Sequence, residues 1–168
     1  MVATGTILLG SWIPYFSAMA TVGSALTGLV FVAVSINLKL IIKHAWLPDR
    51  AVESLQQLLV VALLAPVAMI PGIGIHVLGA LLAASGALLL LLQARHHALY
   101  FKGKHGHPAK WIVGRICQSV LANGLILAAG LMLCSDSLLG LDVLATAFTA
   151  SILAGVSNAW VLLVEIMR

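Results

Sequence analysis

The stretch from Leu58 to Gln93 reads LLVVALLAPVAMIPGIGIHVLGALLAASGALLLLLQ, and it decides the fold. It contains no Asp, Glu, Lys or Arg, and Pro71-Gly72 divides it at a point where a helix ends and the chain turns. The two helices that meet at this turn hold about 40 residues, and each crossing of a bilayer takes about 20. A re-entrant hairpin that returns to the side it left is the alternative, but the apolar length favours two full crossings.

The composition of the whole chain is that of a membrane protein. Of its 168 residues 62% are hydrophobic and 8% are charged, and the mean hydropathy is +1.13. In soluble domains about a quarter of the residues are charged. We therefore predict a single all-α transmembrane domain over residues 1–168. It is expected to be a polytopic bundle of five transmembrane helices, at about residues 12–44, 50–70, 73–94, 111–134 and 143–164.

The distribution of charge predicts how these spans are oriented. Basic residues lie in or beside the connections that follow spans one and three, and at the C-terminus: Lys39, Lys43, Arg50, Arg95, Lys102, Lys104, Lys110, Arg115 and Arg168. Because basic connections stay in the cytoplasm, we expect the N-terminus outside and the C-terminus in the cytoplasm. Residues 1–38 carry no charge, so the first run is expected to be a permanent span and not a cleaved signal. The net charge of +4 then indicates contact with anionic lipid headgroups at the cytoplasmic face and no nucleic-acid partner.

Rows of small residues at a spacing of four mark the expected helix-packing seams. Helix packing in lipid depends on small residues that let two backbones approach. The rows are Ala147, Ser151, Gly155 and Ala159 in span five, Ala20, Ser24 and Gly28 in span one, and Gly79, Ala83 and Ala87 in span three. Packing within one chain is the simpler interpretation of each row, and a contact between chains or a pore lining is the alternative.

Polar side chains reach the inner leaflet from four of the spans. An ionisable group at membrane depth is costly and usually faces protein or water. The candidate site residues are Asn37, Glu53, Gln57, Arg115, Gln118, Asn158 and Glu165. They form either an ion-paired staple, in which Glu53 and Glu165 share Arg115, or a cytoplasmic vestibule that binds an ion, a proton or a small polar ligand.

Metal and cofactor signatures are weak. The histidines between residues 95 and 110 have no cysteine or carboxylate near them, so a solvated or headgroup-binding loop is expected there and not a metal site. His76 stands alone near the outer turn and is expected to be structural. Cys117 and Cys134 lie too far apart on one predicted helix to be bridged, so both are expected to be free thiols. Hydrolase, metalloprotease and phosphate-loop motifs are absent from the sequence, and we expect neither an enzyme nor a cofactor.

Three segments carry a resemblance to a known family. They are LTGLVFVAVSIN at residues 26–37, LPDRAVESL at residues 47–55 and NAWVLLVEI at residues 158–166. Together they resemble a family of small bacterial integral membrane proteins of uncharacterised function, some of which are labelled modulators of a membrane-bound ATP-dependent protease. The resemblance implies a bacterial cytoplasmic (inner) membrane as the setting, and its segments include Asn37, Glu53, Asn158 and Glu165 of the candidate site.

Two classes of function are compatible with this sequence. The first is a homo-oligomeric membrane protein that conducts an ion or a small solute, with the candidate site residues lining a polar cytoplasmic vestibule. The second is a non-conducting accessory or modulator protein that binds another membrane protein, such as a membrane-bound protease. The abundance of small-residue rows in a small bundle favours a homo-oligomer in the first class.

Overall fold

The computed structural model describes residues 2–44, 47–102 and 109–166, and it describes side chains at residues 10–44, 47–95, 114 and 116–164. Within these ranges the chain is helical and has no strand. The helices are α1 (Val2–Ile36), α2 (Leu38–Ile41), α3 (Leu47–Ala68), α4 (Ile75–Lys102), α5 (Ala109–Cys134) and α6 (Leu139–Ile166).

Five of these helices are long and apolar enough to cross a membrane. The candidate spans are Gly10–Ile36, Leu47–Ala68, Ile75–Arg95, Ile116–Cys134 and Leu139–Val164. The all-helical class and the five candidate spans are therefore confirmed, and they indicate an integral membrane protein. The turn at Pro71-Gly72 is confirmed as well, because α3 ends before it and Gly72 adopts a φ of 74°.

Several helix ends differ from the prediction. The first helix begins at Val2 and ends at Ile36, so Pro14 lies inside the helix and not in its first turn. Asn37 interrupts the predicted first span, because its backbone leaves the helical range with φ −99° and ψ 11°. Helix α4 continues to Lys102, into the predicted loop, because no Gly or Pro occurs between Arg95 and Lys102.

The helices form two compact units. The first contains residues Met1–Pro71 and Ser151–Arg168, and the second contains Gly72–Ala150. Helix α6 therefore contributes its first part to the second unit and its last part to the first unit.

In the first unit, α1 and α6 both approach α3. A Cβ atom on Gly23 of α1 would lie 3.0 Å from the backbone nitrogen of Ala62. At the end of α3 nearest its N-terminus, Leu47 and Ala51 form one buried cluster with Ile41 and with Leu162 of α6. The core of this unit therefore follows the length of α3.

In the second unit, α4 and α5 are in close backbone contact. A Cβ atom on Gly79 would lie 2.8 Å from the carbonyl oxygen of Gly130, and one on Gly86 would lie 2.6 Å from the backbone nitrogen of Leu127. Side chains at these positions would displace the neighbouring backbone, which explains why both residues are glycine.

The rows of small residues differ in how many of their members are buried. In α6, Ala147, Ser151, Gly155 and Ala159 are all buried. In α1, Ala20 is half-buried, whereas Ser24 and Gly28 are exposed, and Gly23 makes the close approach instead. In α4 the packing face continues from Gly79 to Gly86, while Ala87 is exposed.

Candidate polar site between α3 and α6

A buried hydrogen bond joins α3 to α6 in the first unit. The Ser54 hydroxyl donates to the carbonyl oxygen of Gly155 over 2.7 Å. A Cβ atom on Gly155 would lie 2.6 Å from Cγ of Leu58, so glycine is what allows this approach. The two helices therefore meet at Gly155, with the side chain of Leu58 packed over it.

The two helices run antiparallel at this contact. Leu47 lies seven residues before Ser54, Leu162 lies seven residues after Gly155, and these two leucines belong to one buried cluster. In this register Asn158 is within one turn of Ala51, and Ser151 is within one turn of Leu58. The residues of α3 that follow Ser54 therefore lie beside the residues of α6 that precede Gly155.

Buried polar side chains continue along this contact in both directions. They are Ser54, Gln57, Ser151 and Asn158, which we call the polar seam. Ser151 is 0% exposed and Asn158 is 5% exposed. The Ser151 Oγ and the Asn158 Nδ2 have no hydrogen-bond partner among the residues that the structure describes. An unsatisfied buried polar group costs about 1–3 kcal/mol, so a polar species that hydrogen-bonds to these two atoms would be stabilised there.

The hydroxyl groups of the polar seam behave differently from those elsewhere in the helices. Thr21, Thr27, Ser35, Ser85 and Thr149 each donate to the carbonyl four residues earlier in their own helix. This bond satisfies a hydroxyl without help from a neighbouring helix. Ser54 bonds across to α6 instead, and the Ser151 Oγ makes neither kind of bond within the described structure.

Charged residues flank one end of the polar seam. Arg50 and Glu53 lie one turn before Ser54 and Gln57 on α3, and both are half-buried. The Nε of Arg50 and the Oε2 of Glu53 are themselves buried atoms. The seam therefore begins with two opposite charges and continues with neutral amide and hydroxyl groups, which both donate and accept hydrogen bonds.

The structure brings together part of the predicted site. Gln57 and Asn158 belong to the polar seam, and Glu53 lies at its charged end. Asn37 does not join them, because its amide donates to the carbonyl of Ala33 in its own helix over 2.9 Å. Gln118 is half-buried on α5, in the second unit. The side chains of Arg115 and Glu165 lie outside the described residues, so the ion-paired staple stays a prediction.

Sequence reasoning missed Ser54 as a member of the site. The signal was present, because Arg50, Ser54 and Gln57 follow one another at spacings of four and three, which is one face of a helix. Ser54 was passed over because a serine carries a weaker polar signal than an amide or a carboxylate.

A second polar contact, also missed, lies within the second unit. The amide nitrogen of Asn123 on α5 donates to the Oε1 of Gln93 on α4 over 3.0 Å, and both residues are buried. Ser119, one turn before Asn123, is buried too. The signal was an amide inside each of two apolar runs, where a polar residue normally has a partner.

A side-chain contact in the second unit joins the start of α4 to the turn that follows α5. The Nε2 of His76 lies 3.3 Å from the Oδ1 of Asp136, so His76 is not alone as the sequence had indicated. The nearby Cys134 and the more distant Cys117 are free thiols, as predicted. No group of three His, Cys, Asp or Glu residues that could hold a metal ion occurs in the described part of the chain. Of the loop predicted between residues 95 and 110, residues 103–108 lie outside the described part, and residues 95–102 belong to α4.

Comparisons of the chain with protein-family models, with curated proteins and with solved structures found no match. The polar seam and the five candidate spans are therefore the basis for any functional inference.

Proposed function

We propose that this chain is an integral membrane protein that admits an ion or a small polar solute to the polar seam between α3 and α6. The observation that carries the proposal is the pair of buried polar atoms, Ser151 Oγ and Asn158 Nδ2, without partners among the described residues. Buried polar groups in a membrane protein are expensive and mark pathways or binding sites for polar species. The proposal includes no enzymatic step, cofactor or metal.

The proposed entrance is the charged end of the seam. Arg50 and Glu53 belong to the first turns of α3, next to the basic connection that contains Lys39 and Lys43. By the charge rule this connection is cytoplasmic, which supports an N-terminus outside and a C-terminus inside. The resemblance to bacterial membrane proteins supports a bacterial cytoplasmic (inner) membrane, whose anionic lipids would contact these basic residues.

Flux through reconstituted protein tests this proposal. We expect liposomes that contain the protein to pass small monovalent ions or small neutral polar solutes faster than protein-free liposomes. Asn158→Leu should lower that flux by at least about tenfold, which corresponds to about 1.4 kcal/mol in the barrier. Thr149→Val is the matched control, since that hydroxyl bonds within α6 and its loss should leave flux unchanged. Flux equal to that of protein-free liposomes, from folded protein, would contradict conduction.

A different observation favours the accessory or modulator class. Only 6% of an 18-residue apolar stretch of α1 is buried, whereas 50% of the corresponding stretch of α3 is buried. Ser24 and Gly28 of α1 are exposed. Exposed small residues on a membrane helix are suited to close contact with another helix. This partner is either a second copy, which gives the proposed homo-oligomer, or a different membrane protein such as a membrane-bound ATP-dependent protease.

Substitution on α1 separates these alternatives. We expect Gly28→Leu to abolish cross-linking between copies if α1 forms a homo-oligomer, whereas Gly10→Leu, at an equally open position, should not. A chain that runs as a monomer before and after both substitutions, and passes no solute, would favour a heterologous partner.

A further inference from the structure

Leu58 lies where both α1 and α6 approach α3 closely. On one side a Cβ atom on Gly155 of α6 would lie 2.6 Å from the Leu58 Cγ. On the other side a Cβ atom on Gly23 of α1 would lie 3.3 Å from the Leu58 carbonyl oxygen. Leu58 is 0% exposed, so two glycines allow two helices to close around it.

The two unpartnered atoms of the polar seam lie on opposite sides of this point. Ser151 comes four residues before Gly155 and Asn158 three residues after it, so they are about 10 Å apart along α6. No single water or small ion can contact both side chains. The seam therefore contains two polar positions, one at Asn158 and one at Ser151, with Leu58 packed on Gly155 between them.

The two positions differ in the charged residues that lie near them. The charged residues of the first unit whose side chains the structure describes are Lys39, Lys43, Asp49, Arg50 and Glu53. All of them either precede Leu58 on α3 or belong to α2 and the chain that follows it. They therefore lie on the Asn158 side of Leu58. Within one turn of Ser151 by register, the polar side chains of α3 include the neutral amides of Gln56 and Gln57, of which Gln57 is buried. A neutral hydroxyl and a neutral amide are groups that hold a water molecule, whereas an ion at this depth would have no countercharge.

We propose that Ser151 and Gln57 form a second, neutral binding position for water, separated from the Asn158 position by the Leu58 side chain. The inference rests on the proposed function, because it assumes that the seam is reached from the Asn158 end. Leu58 then controls whether a polar species that has entered at Asn158 continues along α6. Shortening Leu58 opens the route, because the space it leaves joins the polar side chains of Asn158 and Ser151 and can take up water.

The reactivity of introduced thiols tests this arrangement. Cys117 and Cys134, both exposed, are first replaced by Ser. Asn158→Cys and Ser151→Cys are then treated in membrane vesicles with a small charged methanethiosulfonate, which reacts with the thiolate that forms only where water is present. We expect Asn158→Cys to react at least about tenfold faster than Ser151→Cys, because the Leu58 side chain keeps the charged reagent away from the Ser151 position.

The decisive comparison adds Leu58→Ala to each thiol variant. We expect the rate at Ser151→Cys to rise by at least about tenfold, since the reagent can then pass from the Asn158 position to the thiol. The rate at Asn158→Cys should not change. Leu59→Ala is the matched control. Leu59 follows Leu58 in sequence but is 45% exposed, so its side chain lies on the outer face of α3. Leu58→Val provides a smaller opening if Leu58→Ala does not elute as folded protein.

The outcomes distinguish the two proposals. If Asn158→Cys reacts but Ser151→Cys is insensitive to both Leu58 substitutions, the barrier and the second position are wrong while the proposed function stands. If Ser151→Cys already reacts as fast as Asn158→Cys, Leu58 is not a barrier. If Asn158→Cys is inert in every background, water does not enter the seam and the proposed function itself fails.

Discussion

The Nε2 of His76 lies 3.3 Å from the Oδ1 of Asp136, a residue that holds a left-handed backbone conformation with a φ of 61°. Asp136 follows the end of α5, where the backbone nitrogen of Ser137 donates to the carbonyl of Met132 and that of Asp136 to the carbonyl of Leu133. This pair of bonds is the Schellman arrangement that closes a helix, and its left-handed position is usually glycine. An aspartate there combines a backbone cost with an ionic contact to α4.

Substitutions at Asp136 separate the backbone cost from the ionic contact. We expect Asp136→Ala to destabilise the protein by about 1 kcal/mol, since alanine keeps the left-handed cost and loses the contact. Asp136→Gly should be neutral or stabilising, because the backbone cost disappears and an exposed ion pair contributes about 0–1 kcal/mol. Thermal unfolding in detergent measures both. Both variants lose the contact with His76, so a larger loss for glycine than for alanine would contradict the left-handed conformation at position 136.

The close contact of α4 and α5 predicts a strong effect at Gly86. A Cβ atom there would lie 2.6 Å from the backbone nitrogen of Leu127, and backbone cannot move aside as a flexible side chain can. We expect Gly86→Ala to destabilise by about 1–3 kcal/mol. Gly124→Ala on α5, where nothing lies within 4 Å of the new Cβ, should be neutral or stabilising by up to about 1 kcal/mol. Equal unfolding temperatures for the two variants would contradict the packing of this unit.

The sequence predicts those parts of the fold whose physical cause leaves a recognisable pattern of residues. The spans were predictable because a bilayer requires a minimum apolar length, and Leu58 to Gln93 has it on both sides of Pro71-Gly72. The packed faces were less predictable, because lipid and protein interior are both apolar. In α1 the row with Ser24 and Gly28 fits the small-residue rule as well as Gly23 does, yet Gly23 is the residue that contacts α3.

The candidate site was predictable in the same uneven way. Gln57 and Asn158 were found because an amide in an apolar run is unusual. Their relation to Ser54 and Ser151 was not, since it depends on the antiparallel register of α3 and α6, which Gly155 permits and no local pattern encodes. The contact of His76 with Asp136 likewise depends on a turn conformation that glycine normally adopts.

The buried pair of Gln93 and Asn123 predicts non-additive mutations. Gln93→Leu removes the acceptor of the Asn123 amide and leaves a buried donor with one partner fewer, so we expect a loss of about 1–2 kcal/mol. Asn123→Leu should cost a similar amount. The double variant should be more stable than the sum of the two losses predicts, because neither partner of this hydrogen bond is then left without the other. Strict additivity in detergent unfolding would show that the 3.0 Å contact contributes nothing.

The predicted orientation is tested by labelling at Gly106, which belongs to the basic connection between α4 and α5. In a chain whose Cys117 and Cys134 are replaced by Ser, a cysteine introduced at position 106 should react with an impermeant thiol reagent only from the cytoplasmic side, because this connection carries several of the basic residues. A chain that keeps Cys134 as its only cysteine, at the end of α5 beside Asp136, should react only from outside. Reaction of both cysteines from the same side would rule out a membrane crossing by α5 and with it the five-span topology. Reaction of each from the opposite side to that expected would preserve the five spans and reverse their orientation, which would put the charged end of the polar seam on the outer face.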